Sequence, residues 1–595
     1  MNNTQAVILA AGMARRMQPL SNSIPKTLLK VGGKTIIQSI VDNLLTCNVS
    51  NITVVTGYKS EELISYLKGN YPTVKFSFVK NNQFENTNNI VSMHLALEQV
   101  EINGDLLIIE SDLVFDPALL DKIIKSPFEN AALVDKYKPG LDGTVVSIDE
   151  SMITGVIPPH LQGADFSFKD KYKTLNIYKF SKTFAAGSFK DLLRFYAKTI
   201  HQSYYELILG VIIYLRTEVV HAVFVENEIW AEIDDPNDLR AAKYLFEKDS
   251  RKLLDRSYGG FWNYPIIDFC YIRNMYFPTP AMISELKENL HNTIHEYGST
   301  QKILNEKIAY FIESNPEHTI ALNGLSQIFP LLKDYFVNKK SLIPSPTFGE
   351  YQHTFPAASV YQDHGKIDLD NIAENEADVI VFVNPNNPTG TTLDSKWIYE
   401  FAERFKSKTV VVDESFIDFS DKPSLLDFLY AKPLDNVILL KSLSKGLGVA
   451  GLRIGFSYST NAHFNEYVSS RIPVWNMNSI AENFIEILLK HRPILKQSLV
   501  DTKADRTAFI SLLQSCPMIK QVQASEANFI MASLTMSLED ESRLLDELLS
   551  QFQFYVKSIS EKVNDGQCWL RISVRKPEEN LALVEALNSL SESYI

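Results

Sequence analysis

Short apolar runs at 6–10, 52–56 and 106–110 alternate with helical patterns at 34–46, 60–68 and 89–100. That alternation is the rhythm of a mostly parallel sheet with helices on its faces, so the N-terminal part is expected to be a doubly wound, Rossmann-like α/β domain. From 240 to 256 the pattern is helical and charged, and Ser257-Tyr-Gly-Gly260 breaks it. The expected division is therefore a first domain at 1–245, a linker at 246–261 and a second domain at 262–595. In the second domain the apolar runs 379–383, 410–412 and 437–440 have the character of buried strands.

A chain of 595 residues is too long for one core. Hydrophobic residues make up 45% and charged residues 22%, an ordinary globular composition. The net charge of −13 comes without any basic run, which argues against a nucleic-acid partner and requires local basic clusters wherever a phosphate binds. Four widely separated cysteines show no metal-ligand spacing and point to a reducing compartment. Residues 1–5 lead straight into the first strand with neither a basic region nor a long apolar core, so no secretion signal or membrane span is expected and a cytoplasmic location is.

The most informative stretch is Ser442–Gly455. Lys445 is expected in a loop at the carboxyl end of the strand 437–440, where open α/β sheets bind ligands. A lysine there can condense with an aldehyde, while Ser442, Ser444 and Arg453 converge on an anion. Pyridoxal phosphate offers both groups. In the first domain, Leu9-Ala10-Ala11-Gly12 lets the backbone approach a triphosphate, whose charge Arg16 and Lys26 meet. Asp112 ends the buried strand 106–110, and Asp234 lies in Trp230–Asp238. Two such carboxylates suit magnesium, which also takes waters and substrate phosphates. Taken singly, each aspartate reads first as a cap or turn residue, Ile233-Asp-Asp-Pro236 being able to start a helix at Pro236, and it is together with Lys26 that the pair points to a metal. Glu206 beside Tyr204 and Tyr205 holds a cationic amine by charge and cation–π contact on one reading, and belongs to a helix with an aromatic core face on the other.

The pattern Leu9–Met17, Ile24–Leu28 and Val31–Lys34 resembles the sugar-phosphate and choline-phosphate nucleotidyltransferases, with Ala14 where many members have glycine. The resemblance implies catalytic roles for Arg16 and Lys26 and a metal-binding pair in Asp112 and Asp234. Asn86–Met93 and Ser203–Glu206 are similar to the choline-phosphate cytidylyltransferase branch, which implies CTP, nucleotide contacts from Asn88 and Ser92, and a small amino-alcohol-like acceptor held by Tyr204, Tyr205 and Glu206.

From about residue 262 onward the chain resembles fold-type I pyridoxal-phosphate aminotransferases, especially histidinol-phosphate aminotransferase-like members, beginning with Asp268–Pro278. This implies a large α/β domain with a small one and a homodimer in which Tyr297 reaches the neighbour's cofactor phosphate. Leu325 and Ser326 would hold that phosphate at a helix amide end, with Phe348 stacking on the ring, Asn387 at the ring hydroxyl and Asp413 at the pyridine nitrogen. Lys445 would be the catalytic lysine, and Arg571 would take the substrate carboxylate or, equally well, a phosphonate. Phe416 stands where many members have tyrosine, as in phosphothreonine decarboxylase-like relatives.

Together the halves resemble fused phosphonate cytidylyltransferase and 2-aminoethylphosphonate transaminase enzymes. The resemblance implies that phosphonoacetaldehyde and an amino donor give 2-aminoethylphosphonate, which CTP converts to its CMP ester with release of pyrophosphate. The alternatives are a phosphocholine or phosphoethanolamine cytidylyltransferase joined to a histidinol-phosphate-type aminotransferase or phosphothreonine decarboxylase-like domain, and a pyridoxal domain acting only as a ligand sensor.

Overall fold

The computed structural model describes residues 4–138, 140–163 and 165–594, so Met1, Asn2 and Asn3 ahead of the first expected strand lie outside the described residues. The chain forms two compact units, Met1–Tyr264 and Pro265–Ile595.

In the first unit Gln5–Ala10 is a central strand, paired in parallel with Asn51–Thr56 on one side and Leu106–Glu110 on the other. Phe76–Lys80 extends the parallel set. All of Gln5–Ala10 is buried, which is why Ala6–Ala10 is continuously apolar. Ile8 faces one core with Ile37, Ile40 and Val54, while Val7 and Leu9 face the other with Ile90 and Met93. Helices Ile36–Thr46, Ser60–Asn70 and Asn89–Gln99 supply those layers.

Beyond Leu106–Glu110 the nine-stranded sheet departs from the expected, mostly parallel pattern. Tyr172–Phe180 runs antiparallel to both Leu106–Glu110 and Ala131–Lys136. Antiparallel neighbours need no helical crossover, so this half carries no strand–helix rhythm in the sequence. The charged helical pattern at 240–256 is two helices, Pro236–Phe246 and Ser250–Ser257, and the chain leaves the second at Tyr258 with φ of 54°.

The second unit has a seven-stranded sheet in the order Thr319–Leu322, Gly455–Tyr458, Val437–Ser442, Thr409–Asp413, Val379–Val383, Ser341–Ser345 and Ser359–Gln362. Only Gly455–Tyr458 runs against the rest. The carboxyl ends of the parallel strands therefore share one edge, to which Asn384–Gly390, Asp413 and Ser442 belong. A second, four-stranded antiparallel sheet joins Ile519–Val522, Phe529–Leu534, Trp569–Ser573 and Lys557–Ser558, with Leu544, Leu548, Leu570 and Leu583 in its core.

Lys445 does not stand in a loop. Leu443–Gly446 forms one helical turn, closed by the Leu447 N–H donating to Leu443 O at 3.0 Å. Gly448 then turns the chain at φ +63°, where an added Cβ would lie 2.0 Å from Phe277 O and 2.6 Å from Asn274 O. Neither carbonyl can yield without moving backbone, so glycine is required there. Gly448→Ala is expected to destabilise the second unit by more than about 1 kcal/mol, seen as a lower denaturation midpoint for that unit with the first unit's transition unchanged.

Candidate active sites

In the first unit a cavity of about 710 Å³ opens beside the carboxyl ends of Gln5–Ala10 and Leu106–Glu110. Leu9, Ala10, Ala11 and Gly12 line it, as do Asn88 and Ser92. Lys26 Nζ donates to Asp112 Oδ2 at 3.0 Å and to Asp234 Oδ1 at 3.1 Å. Arg16 reaches Asp234 Oδ2 at 2.7 Å and Asp142 Oδ2 at 3.1 Å. Burial alone would lower the Lys26 pKa, but Asp112 and Asp234 outweigh it and hold the ammonium above the ordinary lysine range. For Asp234, burial opposes ionisation and the charges of Lys26 and Arg16 win, so it lies below the usual carboxylate value.

Asp234 is free to face the cavity because its neighbour does the capping. The Asp235 carboxylate accepts from the Asn237 and Asp238 amides while that of Asp238 accepts from the amides of Asp234 and Asp235, a closed capping box at the start of Pro236–Phe246. Asp112 Oδ1 is buried without a partner. An orphaned carboxylate oxygen beside a second carboxylate fits a hard cation, so the residues present suit magnesium. Ala14 sits at φ 48°, ψ 54°. That left-handed geometry explains why a glycine suits the position, and alanine holds it at roughly 1 kcal/mol.

The back of this cavity is acidic, and most of it escaped the sequence reading. Asn89 Nδ2 donates to Glu110 Oε1 at 2.8 Å and to Glu206 Oε2 at 3.5 Å. Lys173, fully buried, meets Glu232 Oε2 at 3.0 Å. Burial raises Glu110 well above the carboxylate range, with Asp112 and Glu206 adding to it. Glu232 is pushed up to about 7, chiefly by burial against the opposing pull of Lys173. Burial also raises Glu206. Tyr204 lines the cavity at 42% exposure. Tyr205 is a correction: it is 0% exposed and packs edge-on against Tyr178 at 5.8 Å, so its ring is the aromatic core face and offers nothing to a ligand.

In the second unit Asp413, at the end of Thr409–Asp413, and Arg571, in the middle of Trp569–Ser573, both act on the charge of Lys445 in the turn Leu443–Gly446. Asp413 accepts from the Tyr351 hydroxyl at 2.8 Å, from the Ser415 amide at 2.9 Å and from the Ser415 hydroxyl. Burial raises its pKa while these donors pull it back. Neither Tyr351 nor Ser415 was expected here, although Tyr351 closes the stretch that supplies Phe348. Lys445 is lowered to about 8, first by burial, then by repulsion from Arg571 and Arg453, against the attraction of Asp413.

Arg453 Nη2 donates to Ser326 Oγ at 2.9 Å. It lies over Gly324, where an added Cβ would stand 2.4 Å from that nitrogen. Leu325 and Ser326 begin the helical turn Leu325–Gln327 that leads into Ile328–Tyr335. Ser444 Oγ is buried and unpartnered, and the Ser442 amide donates to Ser415 Oγ at 3.0 Å. An orphaned hydroxyl, an arginine over a glycine turn, a buried carboxylate and a lysine inclined to be neutral fit pyridoxal phosphate.

Asn387 Oδ1 accepts from Arg571 Nη1 at 2.8 Å. Phe348 is 40% exposed. Phe416 packs edge-on against Phe529 at 5.1 Å in an apolar cluster with Ile272, Phe419 and Ala527. Tyr297 is 79% exposed and stacks on Trp475 at 4.3 Å.

These folds and sites define a chain that joins two transferases. Residues 265–587 match aminotransferase class I and II and residues 6–152 match the MobA-like NTP transferase domain. The chain belongs to the aminotransferase class I and II family, with the nucleotidyltransferase domain ahead of it. It is 28% identical to the CMP-5'-(3-aminopropyl)phosphonate synthase of Streptomyces rubellomurinus, over 98% of this chain and 94% of that protein. The L-serine phosphate decarboxylase of Sulfurospirillum multivorans is 27% identical over 54% of this chain and 88% of its own length. Histidinol-phosphate aminotransferase from Sinorhizobium meliloti, solved with pyridoxal-5'-phosphate, shares the fold of the second unit at 17% identity and a TM-score of 0.50, covering 58% of this chain and 94% of that one.

The lowered Lys445 pKa gives a test by pH. An amine is nucleophilic only when neutral, so uptake of pyridoxal phosphate by the apoprotein should accelerate as pH rises through about 8 and level off above it. Stopped-flow absorbance in the visible checks this; a rate still rising at pH 10, as for an ordinary lysine, would contradict it.

Proposed function

We propose that the chain carries out two consecutive steps on a small phosphonate. The second unit transaminates phosphonoacetaldehyde to 2-aminoethylphosphonate. The first unit then joins that product to CMP: a phosphonate oxygen forms a bond to the α-phosphorus of CTP, and the bond to pyrophosphate breaks. The observation that carries this reading is the contrast between the two sites. Three carboxyl groups, Glu110, Glu206 and Glu232, line the cavity of Lys26, whereas around Lys445 the charges of Arg571 and Arg453 oppose that of Asp413. A product bearing both an ammonium and a phosphonate suits the first, and its phosphorus-bearing aldehyde suits the second.

In the first unit the backbone at Leu9–Gly12 cradles the triphosphate, Arg16 and Lys26 neutralise it, and Asn88 and Ser92 contact the nucleotide. Asp112 and Asp234 hold magnesium, which when bound supplies further neutralisation of the phosphates. Glu206 and the face of Tyr204 orient the ammonium. In the second unit Ser326, Ser442, Ser444, Arg453 and the Leu325 amide hold the phosphate of pyridoxal phosphate, and Asn387 and Phe348 position its ring. When bound it supplies an electron sink at the reacting carbon. Asp413, fixed by Tyr351 and Ser415, stabilises a proton on the pyridine nitrogen. Neutral Lys445 Nζ takes a proton from the carbon of the amino donor, and the same group delivers one to the aldehyde carbon as it becomes the carbon of the amine. Arg571 orients the substrate, and Tyr297, exposed on one face and stacked on Trp475 on the other, completes the site of a second copy in a homodimer.

A second reading has one specific support. Phe416 places an apolar ring where a tyrosine is common, and the serine phosphate decarboxylase of Sulfurospirillum multivorans matches the second unit. On that reading the amine arises by loss of carbon dioxide from a phosphorus-bearing amino acid. No helix among the described residues is long and apolar enough to cross a membrane, which fits a cytoplasmic enzyme of either kind.

Asp112→Ala should lower pyrophosphate release from CTP and 2-aminoethylphosphonate by at least about a hundredfold while amine formation by the second unit continues. Cytidylyl transfer near the wild-type rate would remove Asp112 from the site. Carbon dioxide release without any need for an amino donor would replace transamination with the second reading.

A further inference from the structure

Three cations crowd one end of the smaller sheet. Lys557 and Arg571 are directly opposed on adjacent antiparallel strands, so they project from the same face. Lys562 stands on the turn Ser560–Val563 that follows. Desolvation first and then repulsion from Arg571 and Lys557 bring its pKa down to about 8, although the residue as a whole keeps much of its surface in solvent.

Like charges placed directly opposite each other destabilise a sheet. The Asp268 carboxylate attracts Arg571, but among the described residues none of the three cations forms an ion pair within 4 Å. Arg571 engages only neutral oxygens, Asn387 Oδ1 at 2.8 Å through Nη1 and Cys270 O at 2.6 Å through Nη2, and its buried Nε has no partner. Arg571 also acts on Lys445, so the cluster adjoins the proposed reaction centre. One guanidinium suffices for a carboxylate. Two further ammonium groups beside it match an anion of higher charge.

The geometry points to Lys557 and Lys562 as the remainder of a subsite, shared with Arg571, that takes the doubly charged phosphorus group of the amine substrate, whether phosphonate or phosphate monoester. The inference rests on the aminotransferase reading of the second unit and adds to it the residues that select phosphorus over carboxylate.

The test uses the full-length protein loaded with pyridoxal phosphate. The visible absorbance of the bound cofactor is titrated with 2-aminoethylphosphonate, 2-aminoethyl phosphate and β-alanine, and the half-saturating concentrations are compared. Lys557→Ala and Lys562→Ala should each reduce the preference for a phosphorus-bearing amine over β-alanine about tenfold, and Lys557→Arg and Lys562→Arg should restore most of it. A change with only one of the two phosphorus compounds still supports the subsite and tells which of them it serves. Variants that shift all three amines equally, or none, overturn the proposal and leave a solvated basic patch. A wild-type protein with no visible band, or none that responds to any amine, instead refutes the aminotransferase reading beneath it.

Discussion

A buried ammonium is costly unless carboxylates meet it, and each unit places a lysine at the carboxyl edge of its sheet under different terms. Lys26 has Asp112 at 3.0 Å and Asp234 at 3.1 Å, so it stays charged. Lys445 is lowered to about 8 by burial first and then by repulsion from Arg571 and Arg453, with Asp413 too weak an attraction to offset them. Relative to an ordinary lysine that difference corresponds to roughly 3 kcal/mol favouring the neutral amine. On the proposed function, one lysine neutralises phosphates and the other exchanges protons and bonds to carbon. The proposed division of labour follows from that difference in counter-charge.

The surroundings keep both arrangements in place. The capping box at Asp235 and Asp238 takes over the helix start and leaves Asp234 to the cavity. Tyr351 and Ser415 fix both oxygens of Asp413. Gly324 and Gly448 stand at left-handed turns where a side chain would collide with Arg453 in one case and with backbone carbonyls in the other. The architecture is thus paid for in backbone conformation as much as in side-chain contacts.

Much of this was legible in the sequence because the decisive residues terminate apolar runs. Asp112, Asp413 and Lys445 each follow a stretch long enough to be a buried strand, and a parallel sheet brings such ends to one edge. Other features had no local mark. Glu110 and Glu232 each sit two positions before Asp112 and Asp234, and only the sheet shows that they line one cavity and that Lys173, on the long antiparallel strand Tyr172–Phe180, pairs with Glu232. Tyr204 and Tyr205 are adjacent in sequence, and packing against Tyr178, distant along the chain, decides that Tyr205 is core. Lys557 and Lys562 gained meaning only when strand register set Lys557 opposite Arg571.

On the proposed function, two separately built sites on one chain perform consecutive reactions, the second reaction consuming the product of the first. Lys445→Arg tests it most directly, because arginine keeps the charge but can neither bond to the aldehyde nor act as a base. The variant should lose the visible absorbance of bound pyridoxal phosphate and cease to form the amine, yet release pyrophosphate from CTP at the wild-type rate when 2-aminoethylphosphonate is supplied. Retention of the yellow colour and of amine formation would contradict the assignment of Lys445, and loss of pyrophosphate release as well would contradict the independence of the two sites.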